Sequence, residues 1–253
     1  MMRWLPWLCL MILVAGPISS RAGQVPAQSA CAAPESFASP DAALPAVAAA
    51  IKAGGPVDIL AIGSAASVGD QPGSSRHTAF PFRMVEALHA ALPNIAFGLT
   101  LRGGRGMTAQ DMLPMLKAAL SARHYALVLW QTGTVEAVRG DDPDALQSAL
   151  QEGIDDARQG GADVVLVDSQ FSRFLRANTD LDPYETTMQE VAVMPGVVLF
   201  HRFDLMQNWV EEGGIDLESA SRADRPKMMA LLHTCLGETL ARFVLTGANL
   251  ATQ

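Results

Sequence analysis

The chain has 253 residues, 18 basic and 26 acidic side chains, a net charge of −8 and 49% hydrophobic residues. That length and apolar content suit one domain with a sizeable core. An acidic chain without a Lys/Arg cluster is repelled by phosphate backbones, which excludes nucleic acid and anionic membrane surfaces as expected partners.

The chain opens on Met1-Met2-Arg3, runs through apolar residues from Trp4 to Val14 and turns small and polar from Gly16 to Gly23. This is the pattern of a secretory signal peptide cleaved after Ala22, with a retained anchor as the alternative. The apolar run is short for a bilayer span. Cys9 lies inside the run and Cys31 well past it, so no lipid-modified cysteine is expected. Residues 1–22 contain Arg3 and Arg21 and no acid, so cleavage leaves 16 basic and 26 acidic residues among 231, a net charge of −10. The expected location is periplasmic or secreted, with no stable membrane insertion once the peptide is removed. Cys31 and Cys235 then remain, and an oxidising compartment invites a disulfide between them, two separate buried thiols being the alternative. Their spacing suits no metal site, and nothing in the chain asks for a cofactor.

Residues 23–40, rich in Ala, Pro, Ser and Gln, read as a flexible lead-in to a domain over 41–248. A short helix is predicted over 41–52. The run Val57-Asp58-Ile59-Leu60-Ala61-Ile62, stopped at Gly63, is a buried parallel strand. Gly, Pro, Ser and charge over 69–77 make a loop, and Phe82, Val85, Leu88 and Leu92 give helical spacing over 80–92. A strand over 95–101, a helix over 109–120 and a strand over 125–130 follow. Asp144 is placed as the N-cap of a helix running to Gln159, which Gly160-Gly161 ends before a valine-rich strand over 163–167. A helix over 183–193, a fifth strand over 197–200 and a closing helix over 227–245 complete the chain. Strands alternating with helices at this spacing predict a three-layer α/β/α sandwich around a five-stranded parallel sheet, flavodoxin-like in plan. Ligands bind such sheets at the carboxyl ends of the strands, so the informative residues lie just after each apolar run.

At those places the chain resembles the SGNH/GDSL hydrolases, an esterase and lipase family, over most of its length from about Asp58 to Leu245. The family's first block, G-D-S-L-T-x-G, corresponds to Gly63-Ser64-Ala65-Ala66-Ser67-Val68-Gly69, which puts Ala65 where the nucleophilic serine stands. The second block corresponds to Leu101 through Thr108, with Gly106 at the oxyanion position. The G-T-N block is Gly133-Thr134-Val135, so valine replaces the oxyanion asparagine. The D-G-L-H block is aligned on Asp224-Arg225-Pro226-Lys227, which keeps the aspartate and replaces the base with Lys227.

Acyl transfer by this route needs a hydroxyl, an imidazole to take its proton, a carboxylate to orient the imidazole, and donors for the oxyanion. Alanine, valine and a protonated lysine supply none of these. The resemblance therefore implies the fold with impaired chemistry, a protein that binds a carbohydrate, an acylated glycan or a periplasmic partner. The alternative is a working ester hydrolase or acyltransferase on an exported polysaccharide or lipid. Ser64, Ser67 and His233 are its candidate displaced groups, with His201 as a second possible base. Against it, Ser64 reads as a loop-fastening hydroxyl and Ser67 as the family's structural threonine. Arg102, Arg105, Gln131 and Asp168 are candidate ligand contacts at the rim, with solvated loop arginines and a helix-capping acid as the competing readings.

Overall fold

The computed structural model describes residues 31–69 and 76–249. The signal-peptide reading and the first part of the expected lead-in lie outside the described residues.

The described residues form a five-stranded, wholly parallel sheet in the order β2-β1-β3-β4-β5, where β1 is Val57–Gly63, β2 Phe97–Gly103, β3 Leu127–Gln131, β4 Asp163–Val167 and β5 Val197–Phe200. Side chains alternate across a strand, and the two cores divide on that period. Ile59, Ala61, Leu127, Leu129, Val165 and Val167 face one core, while Leu60, Ile62, Val128, Trp130, Val164 and Leu166 face the other. The first is covered by α1 (Pro45–Lys52), α3 (Phe80–Ala91), α9 (Arg202–Glu211) and α10 (Arg225–Gly247), the second by α4 (Ala109–Ala122), α6 (Pro143–Gln159) and α8 (Asp182–Ala192). This is the three-layer α/β/α sandwich the alternation predicts.

Among the described residues, four α-helices fall where no helix is predicted: α2 (Ala65–Val68), α5 (Thr134–Arg139), α7 (Arg173–Asn178) and α9. The first three are too short to show a period. The N-cap of α6 is Asp142, two residues earlier than expected, its carboxylate accepting the Asp144 N–H at 3.0 Å. α10 is long and apolar enough to cross a membrane, yet most of that apolar surface is spent on the core, where Gly237 lets the helix meet α3 closely. A Cβ there would sit 2.7 Å from the Met84 backbone nitrogen.

Residues 31–40 are not the loose lead-in that their composition predicts. Cys31 and Cys235 form a disulfide that fastens this segment to α10. The Trp209 indole N–H donates to the Ala32 carbonyl at 3.0 Å, and Ala38 is fully buried. Composition misjudged the segment because its anchors are contributed by residues far along the chain.

The disulfide closes a loop of 204 residues, so it restricts the unfolded chain over most of its length. A Cys31→Ser, Cys235→Ser double variant is expected to lose about 2–5 kcal/mol in urea denaturation and to become cleavable within residues 31–40 under limited proteolysis. A reductant is expected to shift the native protein's midpoint toward that of the variant and to leave the variant unchanged.

Candidate functional site

The carboxyl end of β1 turns directly into α2, with Ser64 extended as the residue before the helix and Ala65 its first residue. Gln131, the last residue of β3, reaches under this turn. Its Oε1 accepts the Ser64 N–H at 3.1 Å, the Ser64 hydroxyl at 3.0 Å and the Ser67 hydroxyl at 3.0 Å. The arrangement is tight because position 63 has no side chain: a Cβ on Gly63 would lie 2.4 Å from Ser67 Oγ and 3.0 Å from Gln131 Cβ. Ser67 and Gln131 are buried. Ala65 is half-buried.

The end of β2 is pressed onto the end of β1. Gly103 has φ +109° and a Cβ there would lie 1.9 Å from the Gly63 carbonyl oxygen, so only glycine fits, and the Gly104 N–H donates to that same oxygen at 3.2 Å. Gly106 lies in the turn beyond, where its carbonyl accepts from Arg139 Nη2 at 2.6 Å. Arg102 and Arg105 are exposed, Arg102 donating to its neighbour's carbonyl at Leu101. Neither contributes to the cavity described below.

Beyond β3, Val135 is half-buried on α5 and the acid after it holds the turn together. The buried Glu136 carboxylate accepts the Ala109 N–H at 2.6 Å, the Thr132 hydroxyl at 2.5 Å and the Gly133 N–H at 2.9 Å, tying the start of α4 to the start of α5. Sequence reading passed over Glu136. Its signal was an acid three residues after Gly133 at a helix start, the capping-box spacing.

A cavity of about 240 Å³ opens between α2, the connection from β4 to α7, α9 and α10. Ala66 forms its edge on the α2 side and His233 faces it from α10. His233 is buried, and its Nδ1 accepts the Phe80 N–H at 3.1 Å, so the neutral ring carries its proton on Nε2. Burial, helped by the charges of Arg202 and Arg83, holds its pKa down at about 4.

Arg202 lines the same cavity although it is only 2% exposed. Its Nε donates to the Ser169 carbonyl at 3.3 Å. Burial lowers its pKa to about 10, opposed by the charges of Asp168 and Glu185, so it stays a cation at neutral pH. Asp168, at the end of β4, is not the rim carboxylate of the sequence reading. It is buried, accepts the Phe203 N–H at 2.8 Å and lies 3.8 Å from His201 Nδ1. Burial pushes its carboxyl well above the usual range, with Glu185 adding to the rise, and burial raises Glu185 too. The helix-capping alternative describes Asp168 better.

At the cavity mouth, Asp216 takes both Nη atoms of Arg173 at 3.0 Å and the Ser219 hydroxyl at 2.6 Å, while Glu218 accepts the Arg173 and Phe174 N–H groups. Burial would raise the Asp216 carboxyl, but these hydrogen bonds outweigh it and hold the pKa at about 2. Asp216 and Glu218 line the cavity, whereas Asp224 and Lys227 are exposed at the start of α10, outside that lining.

The model of the non-GDSL lipase-like family matches residues 30–250. A search of the curated proteins finds no match. Among solved structures, TesA is similar at 20% identity over 71% of this chain and 97% of that one, with a TM-score of 0.54. A catalytic mutant of an acetylxylan esterase from Geobacillus stearothermophilus is similar at 15% identity over 78% of this chain and 96% of that one, TM-score 0.58. A member of the lipolytic G-D-S-L family from Veillonella parvula DSM 2008 is similar at 16% identity over 70% and 96%, TM-score 0.53. At these identities the likeness establishes the fold alone.

Two expectations follow from the geometry. Gln131→Ala removes the acceptor of three donors, all of them on buried or half-buried residues, and is expected to cost about 2–4 kcal/mol in urea denaturation. His233 is neutral when folded and protonates near the ordinary histidine value when unfolded. Its contribution is therefore complete above pH 6.5 and is lost as pH falls toward 4, on the order of 3 kcal/mol in all. Asp168 and Glu185, raised by burial, act in the opposite sense, so the useful quantity is a difference. Stability of the native protein minus that of His233→Asn, measured from pH 7.5 to 4, is expected to fall through that window.

Proposed function

The chain belongs to the non-GDSL lipase-like family, with an SGNH/GDSL hydrolase-like fold, and from that premise we propose that it is an exported, non-catalytic member that keeps the strand-end cavity as a binding site. Its ligand class on this reading is an acylated glycan, a glycan or a periplasmic partner. One observation carries the proposal: the third place of the first block is Ala65, and the two hydroxyls beside it, on Ser64 and Ser67, both donate to Gln131 Oε1. A nucleophilic serine needs its hydroxyl directed to a base. His233, the candidate base on α10, spends Nδ1 on the Phe80 N–H and keeps a proton on Nε2. Val135 carries no donor for an oxyanion.

Export is supported by the disulfide, since oxidised cysteines persist in the periplasm and outside the cell. We further assign the remnant of the closing catalytic block to Asp216-Leu217-Glu218-Ser219 and not to Asp224–Lys227. Asp216 lines the cavity and holds the side chain three residues on, the pairing an aspartate and a base require. The second reading, an ester hydrolase with displaced groups, draws on the esterases among the similar structures.

Labelling with a fluorophosphonate separates the two. The native protein is expected to stay unlabelled, while an Ala65→Ser, Val135→Asn, Ser219→His variant takes one equivalent at position 65. Native labelling that disappears in Ser64→Ala or Ser67→Ala would sink the non-catalytic reading.

A further inference from the structure

The guanidinium of Arg202 is enclosed in protein, yet its Nε–Ser169 bond is the one hydrogen bond it makes among the described residues, and no described carboxylate oxygen lies within 4.0 Å of it. Its two Nη atoms bond no described residue and are not among the polar atoms sealed from solvent, so they are open to a group that enters the cavity. Arg202 lies on the cavity. The acids at the mouth are already engaged, Asp216 by Arg173 and Ser219, and Glu218 by Ser172, Arg173 and Phe174. Asp168 and Glu185, whose charges reach Arg202, accept backbone N–H groups from Phe203 and Ser169 and keep their oxygens beyond 4.0 Å of the guanidinium.

Apart from Gln170, Ser172 and His233, the rest of the lining is apolar, chiefly Met206, Val210, Ile215, Met229, Leu232 and Leu236. A cation would face Arg202. At roughly 30 Å³ per water-sized group, 240 Å³ admits about eight non-hydrogen atoms, the size of hexanoate.

We propose that this cavity is a binding site for a short aliphatic monocarboxylate, with the carboxylate paired to Arg202 and the hydrocarbon chain along Met206, Leu232 and Leu236. The proposal rests on the binding reading above and names its ligand. No bond is made or broken. The anion displaces water from the guanidinium and the chain removes apolar surface from water, two contributions that act at opposite ends of one molecule.

Calorimetric titration of the mature protein with hexanoate, hexan-1-ol and hexylamine tests it. Hexanoate is expected to bind with one-to-one stoichiometry, and the alcohol and the amine roughly tenfold or more weakly, as loss of one charge-assisted contact requires. Arg202→Met is expected to remove the preference for the anion. Should that variant fail to fold, Met229→Trp, a substitution at the half-buried mouth, keeps Arg202 and is expected to block hexanoate by filling the chain's path. Equal affinity for hexanoate and hexan-1-ol, no hexanoate binding at millimolar concentration, or full binding by a folded Met229→Trp protein would each overturn the assignment. Because the titration reads binding alone, native labelling by a fluorophosphonate would end the non-catalytic reading without touching this result, and absent hexanoate binding would end the ligand assignment without restoring catalysis.

Discussion

Gln131 closes β3 with its side chain enclosed, and a single carbonyl oxygen there gathers the Ser64 N–H and the hydroxyls of Ser64 and Ser67. An amide accepting three donors out of water has to be approached from a narrow range of directions, and that requirement propagates outward. Position 63 must be glycine for Ser67 to come close enough. With the turn so fixed, α2 starts at Ala65, and Ala66 reaches the cavity edge. The Gly63 carbonyl is left facing β2, where Gly103 packs against it and the Gly104 N–H satisfies it. Three strand ends are thereby locked together by polar contacts between residues 40 to 67 positions apart in sequence, and the site has the rigidity of the sheet that carries it.

The sheet was legible for a physical reason. Strands β1, β3 and β4 are covered on both faces, so they appear as continuous apolar runs with sharp ends at Gly63, Gln131 and Asp168. Ile95 was read into β2 but belongs to the preceding turn, its N–H donating to the Leu92 carbonyl. The helix α9 was illegible because it opens with His201, Arg202, Phe203 and Asp204, a polar start that local rules assign to solvent. Arg202 is buried there beneath the end of β4, its Nε donating to the Ser169 carbonyl and the charges of Asp168 and Glu185 reaching it. Pairings of that range leave no trace in a window of neighbouring residues.

The site was legible in its blocks and not in the duties of their members. Gln131 was read as a ligand contact and is a structural acceptor. Ser64 and Ser67 match the fastening roles read for them, and their common partner on β3 was beyond reach of local pattern. Asp168 was one of the strand-end acids, and its use as an acceptor for the α9 backbone follows from the crossing of β4 to β5, which no spacing rule encodes. Asp224 and Lys227, where the closing block was aligned, are exposed outside the cavity lining, and Asp216 lies on it.

The same hydrogen bonds explain why the scaffold tolerates alanine at position 65. The turn is held by Ser64, Ser67 and Gln131, none of which depends on the side chain between them. With no hydroxyl there to deprotonate, no imidazole is needed near Asp216, and the carboxylate is free to take the guanidinium fork of Arg173 and the hydroxyl of Ser219. That fork bridges α7 to the loop before α10 across the cavity mouth and fastens the wall of the pocket. Arg202, buried beside that pocket with a single side-chain hydrogen bond among the described residues, sets the electrostatics of its wall.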